Sequence, residues 1–395
     1  MEEAIAASVI LAGVALGNTA LWWIGITLLV LLAALAFLRA RHKKPARIKP
    51  PYLARAKENP VLSPLSEHPW ENAAVFNPAA LYEGGRVHLL YRALGSDGVS
   101  RIGYASSGDG IHFDERLPYP VFVPDIAAAA KFRNPFTSPA RLHYDRVAYA
   151  SGGGWGGSED PRMVAIDGRI HITFNMFNGW NDMRVCLLSI DKEDFKKKAW
   201  HWNFNHLSAP GRNKNWVLFP EKIKGKYAIF HNLYHDDPNR VAIEYVDRVE
   251  VPDHLPPFHS HDPQRLPDRA VAWHHRTRSA GAPPIKTDRG WLLFYQAMDP
   301  RDPDRYKIGA LLLDLNDPTR VLYRSAKPIL EPDMPYENDW KPGIVYCSGA
   351  VVKDGVLFLY YGGGDKTVNV ASAPLDVFLD ELVRGEHATL KPVAV

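Results

Sequence analysis

Hydrophobic and polar positions fall along most of this chain in short runs of strand length, and five of these runs open alike. A turn glycine starts "GRVHLLYRAL" at Gly85, "GRIHITFNMF" at Gly168, "GKYAIFHNLY" at Gly225, "GWLLFYQAM" at Gly290 and "GVLFLYYGGGD" at Gly355. Each run is apolar, β-branched or aromatic, the signature of a strand leaving a tight turn. A second strand-like run follows each one: "RIGYASS", "RVCLLSI", "RVAIEYV", "YKIGALLLDL" and "TVNVASAPL". Helical periodicity is nearly absent between them. Repeated strand pairs at blade-sized spacing predict an all-β domain over residues 65–395, a five-bladed β-propeller. A β-sandwich or a pair of β-domains is the competing arrangement. The stretch "PLDVFLDELV", residues 374–383, predicts a short amphipathic helix that closes the domain.

The N-terminus is patterned differently. Residues 4–38 contain no charged side chain, and Leu21 to Leu38 is long enough to span a bilayer. Glu2 and Glu3 precede the run where a signal peptide would carry positive charge. The basic stretch "RARHKKPARIK" follows it, which puts the body of the protein on the cytoplasmic side by the positive-inside rule. The expected organisation is a transmembrane helix in residues 1–40, a basic, proline-rich linker over 41–64, and the β-domain. A short re-entrant hairpin in residues 4–38 would leave the same orientation.

Charge sharpens this division. The chain carries +3 overall, but residues 1–49 alone carry +4, so the remainder sums to −1. A near-neutral body offers no concentrated basic surface for nucleic acid. Cys186 and Cys347 are the two cysteines, which allows a reducing compartment. Eleven tryptophans and seventeen tyrosines suit a carbohydrate-handling protein, though a β-rich core is equally aromatic.

Candidate chemistry gathers in three stretches. "GGWGGSEDPR", residues 153–162, is a shaped loop that aims a carboxylate, Asp160. Pro161 pushes Asp160 towards an extended backbone. "KNWVLFPEKIKGKY" places Lys214 and Asn215 just before a strand, and "GAPPIKTDRGWLLFY" holds Lys286 after paired prolines. The strand endings "YRA", "HN", "YQA" and "GGGD" bring polar groups to matching positions, as a central site needs. Sixteen histidines are present, but "HSHD" at 259–262 and "WHHR" at 273–276 lack the spacing of a metal site, so no metal is expected.

These stretches, with "NPAA", "IGYASS", "GALLLDL" and "PIL", run in order over roughly residues 75–365 and resemble the β-mannoside phosphorylases of glycoside hydrolase family 130. The resemblance implies a five-bladed propeller that cleaves β-mannosidic bonds with inorganic phosphate. Inversion at the anomeric carbon then releases α-mannose 1-phosphate. Phosphate is an anionic nucleophile, so the carboxylate that activates water in an inverting hydrolase is dispensable, and no cofactor is implied. The resemblance implies Asp160 as general acid, passing its proton through a sugar hydroxyl. It implies Asn77, Arg92, Tyr295 and Asp365 around the sugar, and Lys214, Asn215, Lys286 and His231 around phosphate. The implied partners are a β-mannoside oligosaccharide or glycoconjugate, phosphate, and the membrane through the N-terminal helix. Two departures stand out. Gln296 occupies a position where relatives commonly have histidine, and Lys214 one where arginine is common. An inverting β-mannosidase, with Asp236, Asp237 or Asp365 as second carboxylate, and a non-catalytic sugar-binding propeller are the alternatives.

Overall fold

The computed structural model describes residues 52–124, 151–178, 183–208, 214–233, 241–249, 276–299 and 302–384, and scattered positions between 11 and 30. Two compact units divide the chain, Met1–Pro50 and Pro51–Val395.

The second unit is built from strands. A short β1 (Ala54–Arg55) comes first. Next come β2 (Ala74–Glu83), β3 (Arg86–Leu94), β4 (Val99–Ser107) and the short β5 (Glu115–Arg116). The second set is β6 (Gly156–Ile166), β7 (Arg169–Phe177), β8 (Met183–Asp191), helix α1 (Lys192–Lys196) and β9 (Asn203–His206). The third is β10 (Val217–Leu218), β11 (Tyr227–Leu233) and β12 (Val241–Val246). The fourth is β13 (Arg276–Ala280), β14 (Ile285–Thr287), β15 (Gly290–Asp299), β16 (Asp302–Leu313) and β17 (Val321–Arg324). The last is β18 (Val345–Lys353), β19 (Val356–Gly363), β20 (Thr367–Pro374) and helix α2 (Leu375–Arg384).

Turn chemistry explains why the repeat glycines mark hairpins. Gly85, Gly168, Gly225 and Gly355 have φ of 79°, 78°, 79° and 76°, each after a residue also at positive φ (Gly84, Asp167, Lys224, Asp354). Two consecutive left-handed residues make the two-residue hairpin turn whose twist matches its strands. The strands on either side then pair antiparallel, as in β2–β3, β6–β7 and β18–β19.

The expected five-bladed propeller with a transmembrane helix is corrected on both counts. Among the described residues the strands form four sheets, not five blades: β2-β3-β4-β6-β7-β8-β9 with β5, β13-β15-β16-β17 with β14, β1-β20-β19-β18, and β10-β11-β12. The first two strand sets fuse because β4 and β6 pair in parallel through Val99↔Gly156 and Ser100↔Gly157. Gly157 makes that approach possible, since a β-carbon there would fall 2.2 Å from the Ser100 carbonyl oxygen.

No helix among the described residues is long and apolar enough to cross a membrane. The apolar run breaks at Gly17, with φ of 61°, and Asn18 accepts a hydrogen bond from the Ala20 amide through Oδ1, capping a new start. Residues 31–50, with the basic run, lie outside the described residues. The membrane-anchored, cytoplasm-facing localisation therefore loses its footing. From Tyr52 onward the chain packs against the domain: β1 pairs with β20, and Leu53 and Leu62 are buried.

Apolar clusters sit between neighbouring strand sets. Leu90, Ile102 and Tyr104 meet Ile172, Phe174 and Leu188; Trp291, Leu293 and Tyr295 meet Val217, Phe219 and Phe230. Val75, Leu89 and Tyr91 of the first set also meet Val351, Tyr360 and Val368 of the last. This packing brings the opening residues of β2 and β6 next to the β19–β20 turn.

Candidate active site

β2 and β6 are each interrupted near their start by a bulge, where pairing shifts between Phe76 and Ala79 and between Glu159 and Arg162. The inserted pairs are Asn77-Pro78 and Asp160-Pro161. Proline has no amide hydrogen for the ladder, so a bulge is where a strand accepts it. Asn77 and Asp160 adopt φ of 48° and 50°. Asp160 is therefore left-handed and not extended as its proline suggested, a conformation that aspartate and asparagine tolerate better than most residues. Bulges re-aim side chains. Here they turn two towards each other, and Asn77 Nδ2 donates to Asp160 Oδ1 at 2.8 Å.

Arg92, from β3, lies across this pair with its guanidinium carbon 4.7 Å from the Phe76 ring centroid. Its Nη1 is 3.4 Å from Asp160 Oδ1, and its Nη2 is 3.1 Å from Glu159 Oε1. Nη2 also donates to the Ser151 carbonyl and Nε to Ser100 Oγ. Glu159 is wholly buried. Its Oε2 accepts from Ser151 Oγ at 2.8 Å and from Lys214 Nζ at 2.9 Å. Asn215, at φ 64°, clasps Asn175 of β7 reciprocally: its amide donates to Asn175 Oδ1 at 2.9 Å, and Asn175 Nδ2 donates to Asn215 Oδ1 at 3.0 Å. Arg162 donates to the Asp160 carbonyl at 2.8 Å and reaches the Gly281 carbonyl and the Tyr346 hydroxyl, tying β6 to the last two strand sets.

Asp365 stands at the β19–β20 turn, buried, with Oδ2 3.2 Å from Lys341 Nζ. Close by, Gly362 gives Asn77 its room, since a β-carbon there would lie 2.1 Å from Asn77 Oδ1. Gly362→Ala should thus dislodge Asn77 and lower turnover more than it lowers thermal stability; unchanged turnover would mean that Asn77 can move freely.

Electrostatics separates the carboxylates from an ordinary surface pair. Burial alone would push the Asp160 carboxyl up. The charges of Arg92, Lys214 and Arg162, with the Asn77 hydrogen bond, outweigh burial and hold it below the usual carboxylate range. Burial opposes the Arg92 charge, but Glu159, Asp160 and Asp365 hold it charged more firmly than usual. Counting Lys341, four cations (Arg92, Arg162, Lys214 and Lys341) face the three carboxylates Glu159, Asp160 and Asp365, so the cluster retains positive charge and suits a further anion.

The structure thus brings together Asn77, Arg92, Asp160, Lys214, Asn215 and Asp365. Tyr295 and Lys286 stand elsewhere. Tyr295 is fully buried in the apolar cluster with Trp291 and Phe219, its ring seated on Gly309, whose β-carbon would be 2.4 Å from Tyr295 Cζ. Burial pushes its hydroxyl up to about 12. It packs the core because consecutive strand residues face opposite sides, and its neighbour Gln296 points the other way to donate to the Cys347 carbonyl. Lys286 is exposed at the β14–β15 hairpin, paired with Glu221 Oε1 at 2.5 Å and 5.6 Å from the Trp291 ring centroid. The polar cluster touches this strand set at Ala280 and Gly281, where Arg162 binds.

The His231 side chain, Asp236, Asp237 and the histidines at 259–262 lie outside the described residues. Among the described residues, no three His, Cys, Asp or Glu side chains gather to hold a metal ion. Sequence reasoning passed over Glu159, Ser151, Asn175 and Arg162. Glu159 and Arg162 flank Asp160 in its own motif, so adjacency was the available signal; nothing local marks Ser151 or Asn175.

Comparison with known proteins identifies the family. Residues 148–384 match the profile of glycoside hydrolase family 130, described as β-1,4-mannooligosaccharide phosphorylase. A 1,2-β-oligomannan phosphorylase from Thermoanaerobacter sp. is 36% identical over 332 residues, covering 81% of this chain and 96% of that protein. A β-1,2-mannobiose phosphorylase from the same organism is 35% identical over 335 residues, with the same coverage. The solved β-1,2-mannobiose phosphorylase of Listeria innocua, 23% identical, superposes with a TM-score of 0.59 over 84% of this chain and 99% of that one, a likeness of fold. This chain belongs to glycoside hydrolase family 130.

Proposed function

We propose that the protein is a β-mannoside phosphorylase whose reaction is centred on Asp160. It cleaves β-mannosidic bonds with inorganic phosphate, inverts the anomeric carbon, and uses phosphate as co-substrate without a cofactor. Membrane association forms no part of this reading. The observation that carries it is the buried Asp160 carboxyl, met by Asn77 and Arg92 beside the Lys214 ammonium.

In this reading Asp160 is the general acid, and its proton reaches the leaving oxygen through a mannose hydroxyl. Asn77 and Asp365 orient the mannose. Lys214 and Asn215 hold phosphate, Lys214 as a point charge and Asn215 by its place in the Asn175 clasp. Asp160 is ionised in the empty site, so it takes its proton as the ligands bind, when the charge of phosphate offsets the nearby cations.

The substrate we favour is a β-1,2-linked mannoside. Relatives named for 1,2-linkages are 36% and 35% identical, whereas one from Ruminococcus albus named for β-1,4-mannooligosaccharides is 27% identical. Purified enzyme with β-1,2-mannobiose and phosphate should release mannose 1-phosphate, with a higher kcat/KM than for β-1,4-mannobiose. Mannose released at the same rate without phosphate would make the enzyme a hydrolase. A preference for the β-1,4 disaccharide would overturn the linkage.

A further inference from the structure

Glu159 has no assigned part in the reaction above, yet it is the most enclosed charge in the cluster. It is wholly buried, and each of its oxygens faces a different cation: Oε1 is 3.1 Å from Arg92 Nη2 and Oε2 is 2.9 Å from Lys214 Nζ. Those cations come from different parts of the chain, Arg92 from β3 and Lys214 from the segment before β10. Ser151 locks the bridge, because its carbonyl accepts from Arg92 while its hydroxyl donates to Glu159 and accepts from Lys214. The remaining charged groups around it are Asp160 and Arg162 on its own strand, and Asp365 at the β19–β20 turn, which acts on Arg92. Asn175 is its neutral partner across the β6–β7 ladder.

We propose that Glu159 is a positioning residue that apportions positive charge between the two halves of the site, moderating Lys214 towards phosphate and Arg92 towards Asp160. This rests on the reading of Lys214 as the phosphate cation and Asp160 as the acid. Two cations enclosed without a counter-ion would repel each other and strain the empty site; Glu159 relieves that repulsion. The same contact weakens the pull of Lys214 on an incoming anion, which lets the sugar phosphate product leave. It also draws part of the Arg92 charge away from Asp160, which eases protonation of the acid.

Glu159→Gln keeps the shape and removes the charge. Without phosphate the variant should melt at a lower temperature than wild type, and added inorganic phosphate should raise its melting temperature more than it raises that of wild type. Its KM for phosphate should fall by about tenfold or more, the size expected for removing a unit charge a few ångströms away in a partly screened site. Its kcat should fall as well, with the acid form of Asp160 populated only at lower pH. A merely structural residue would lower stability equally with and without phosphate and leave the KM alone.

Glu159→Asp retains the charge and should keep the wild-type KM for phosphate, which tests the idea even if the glutamine variant does not fold. A raised KM in Glu159→Gln, or a lowered KM in Glu159→Asp, would overturn the proposal. Lys214→Met separates the two levels. If phosphate stabilises wild type and Lys214→Met equally, the phosphate site itself is wrongly assigned and the proposal falls with it. If stabilisation needs Lys214 but Glu159→Gln responds like wild type, only the role of Glu159 is lost.

Discussion

Asp160→Asn should lower kcat by about 10²–10⁴-fold, the usual contribution of a positioned general acid, while leaving both substrate KM values close to wild type. An amide has no acidic proton to pass on. The substitution is otherwise mild, because asparagine tolerates the left-handed backbone that Asp160 adopts at φ 50°, and Asn77 Nδ2 can still donate to its side-chain oxygen. Steady-state kinetics with mannobiose and phosphate, together with circular dichroism of the variant, make the comparison. Turnover within a few-fold of wild type would remove Asp160 from the chemistry. The pH profile supplies a second check. Its carboxyl is held low in the empty enzyme, so kcat/KM should rise as pH falls through neutrality, since that parameter reports the free enzyme.

The second large effect is expected at Lys214. Loss of a hydrogen bond to a charged group costs roughly 1.5–3 kcal/mol, or about ten- to a hundredfold in the phosphate-dependent rate. Lys214→Met should therefore raise the KM for phosphate by that factor and leave mannoside binding largely intact. Lys286→Met should change neither, because that ammonium pairs with Glu221 at the exposed hairpin. Initial rates over a range of phosphate concentrations distinguish them. An equal rise in KM for both variants would mean that the anion is held from the hairpin side.

Legibility varied with the range of the interaction responsible. The hairpins were readable because a two-residue turn demands positive φ, and Gly85, Gly168, Gly225 and Gly355 announce that demand locally. The fusion of β4 with β6 was not, since it depends on two backbones meeting at Ser100 and Gly157, far apart in the chain. At the N-terminus, the break at Gly17 and Asn18 precedes the expected span Leu21 to Leu38, most of which lies outside the described residues.

The site shows the same division. Asn77 and Asp160 could be found because each precedes a proline within a strand pattern, but their meeting required two bulges in register. For Lys286, the paired prolines before it said nothing about which end of the strand held the site. Tyr295 faces the core, and only the packing of its strand against Val217 and Phe219 reveals which side that is.

The pairing of β1 with β20 also dictates when the body can be completed. Asn59 hydrogen-bonds both ways with the backbone of Val370, 311 residues later. During synthesis at about 5–20 residues per second, the first strand waits roughly 15–60 s for its partner to leave the ribosome. Until then Leu53 and Leu62 have no complete surface to bury against, and the edge of β1 stays open to other chains. Contacts of such sequence separation form slowly, because loop closure precedes any gain from packing. A nascent chain that stops short of β20 therefore carries β1 unpaired.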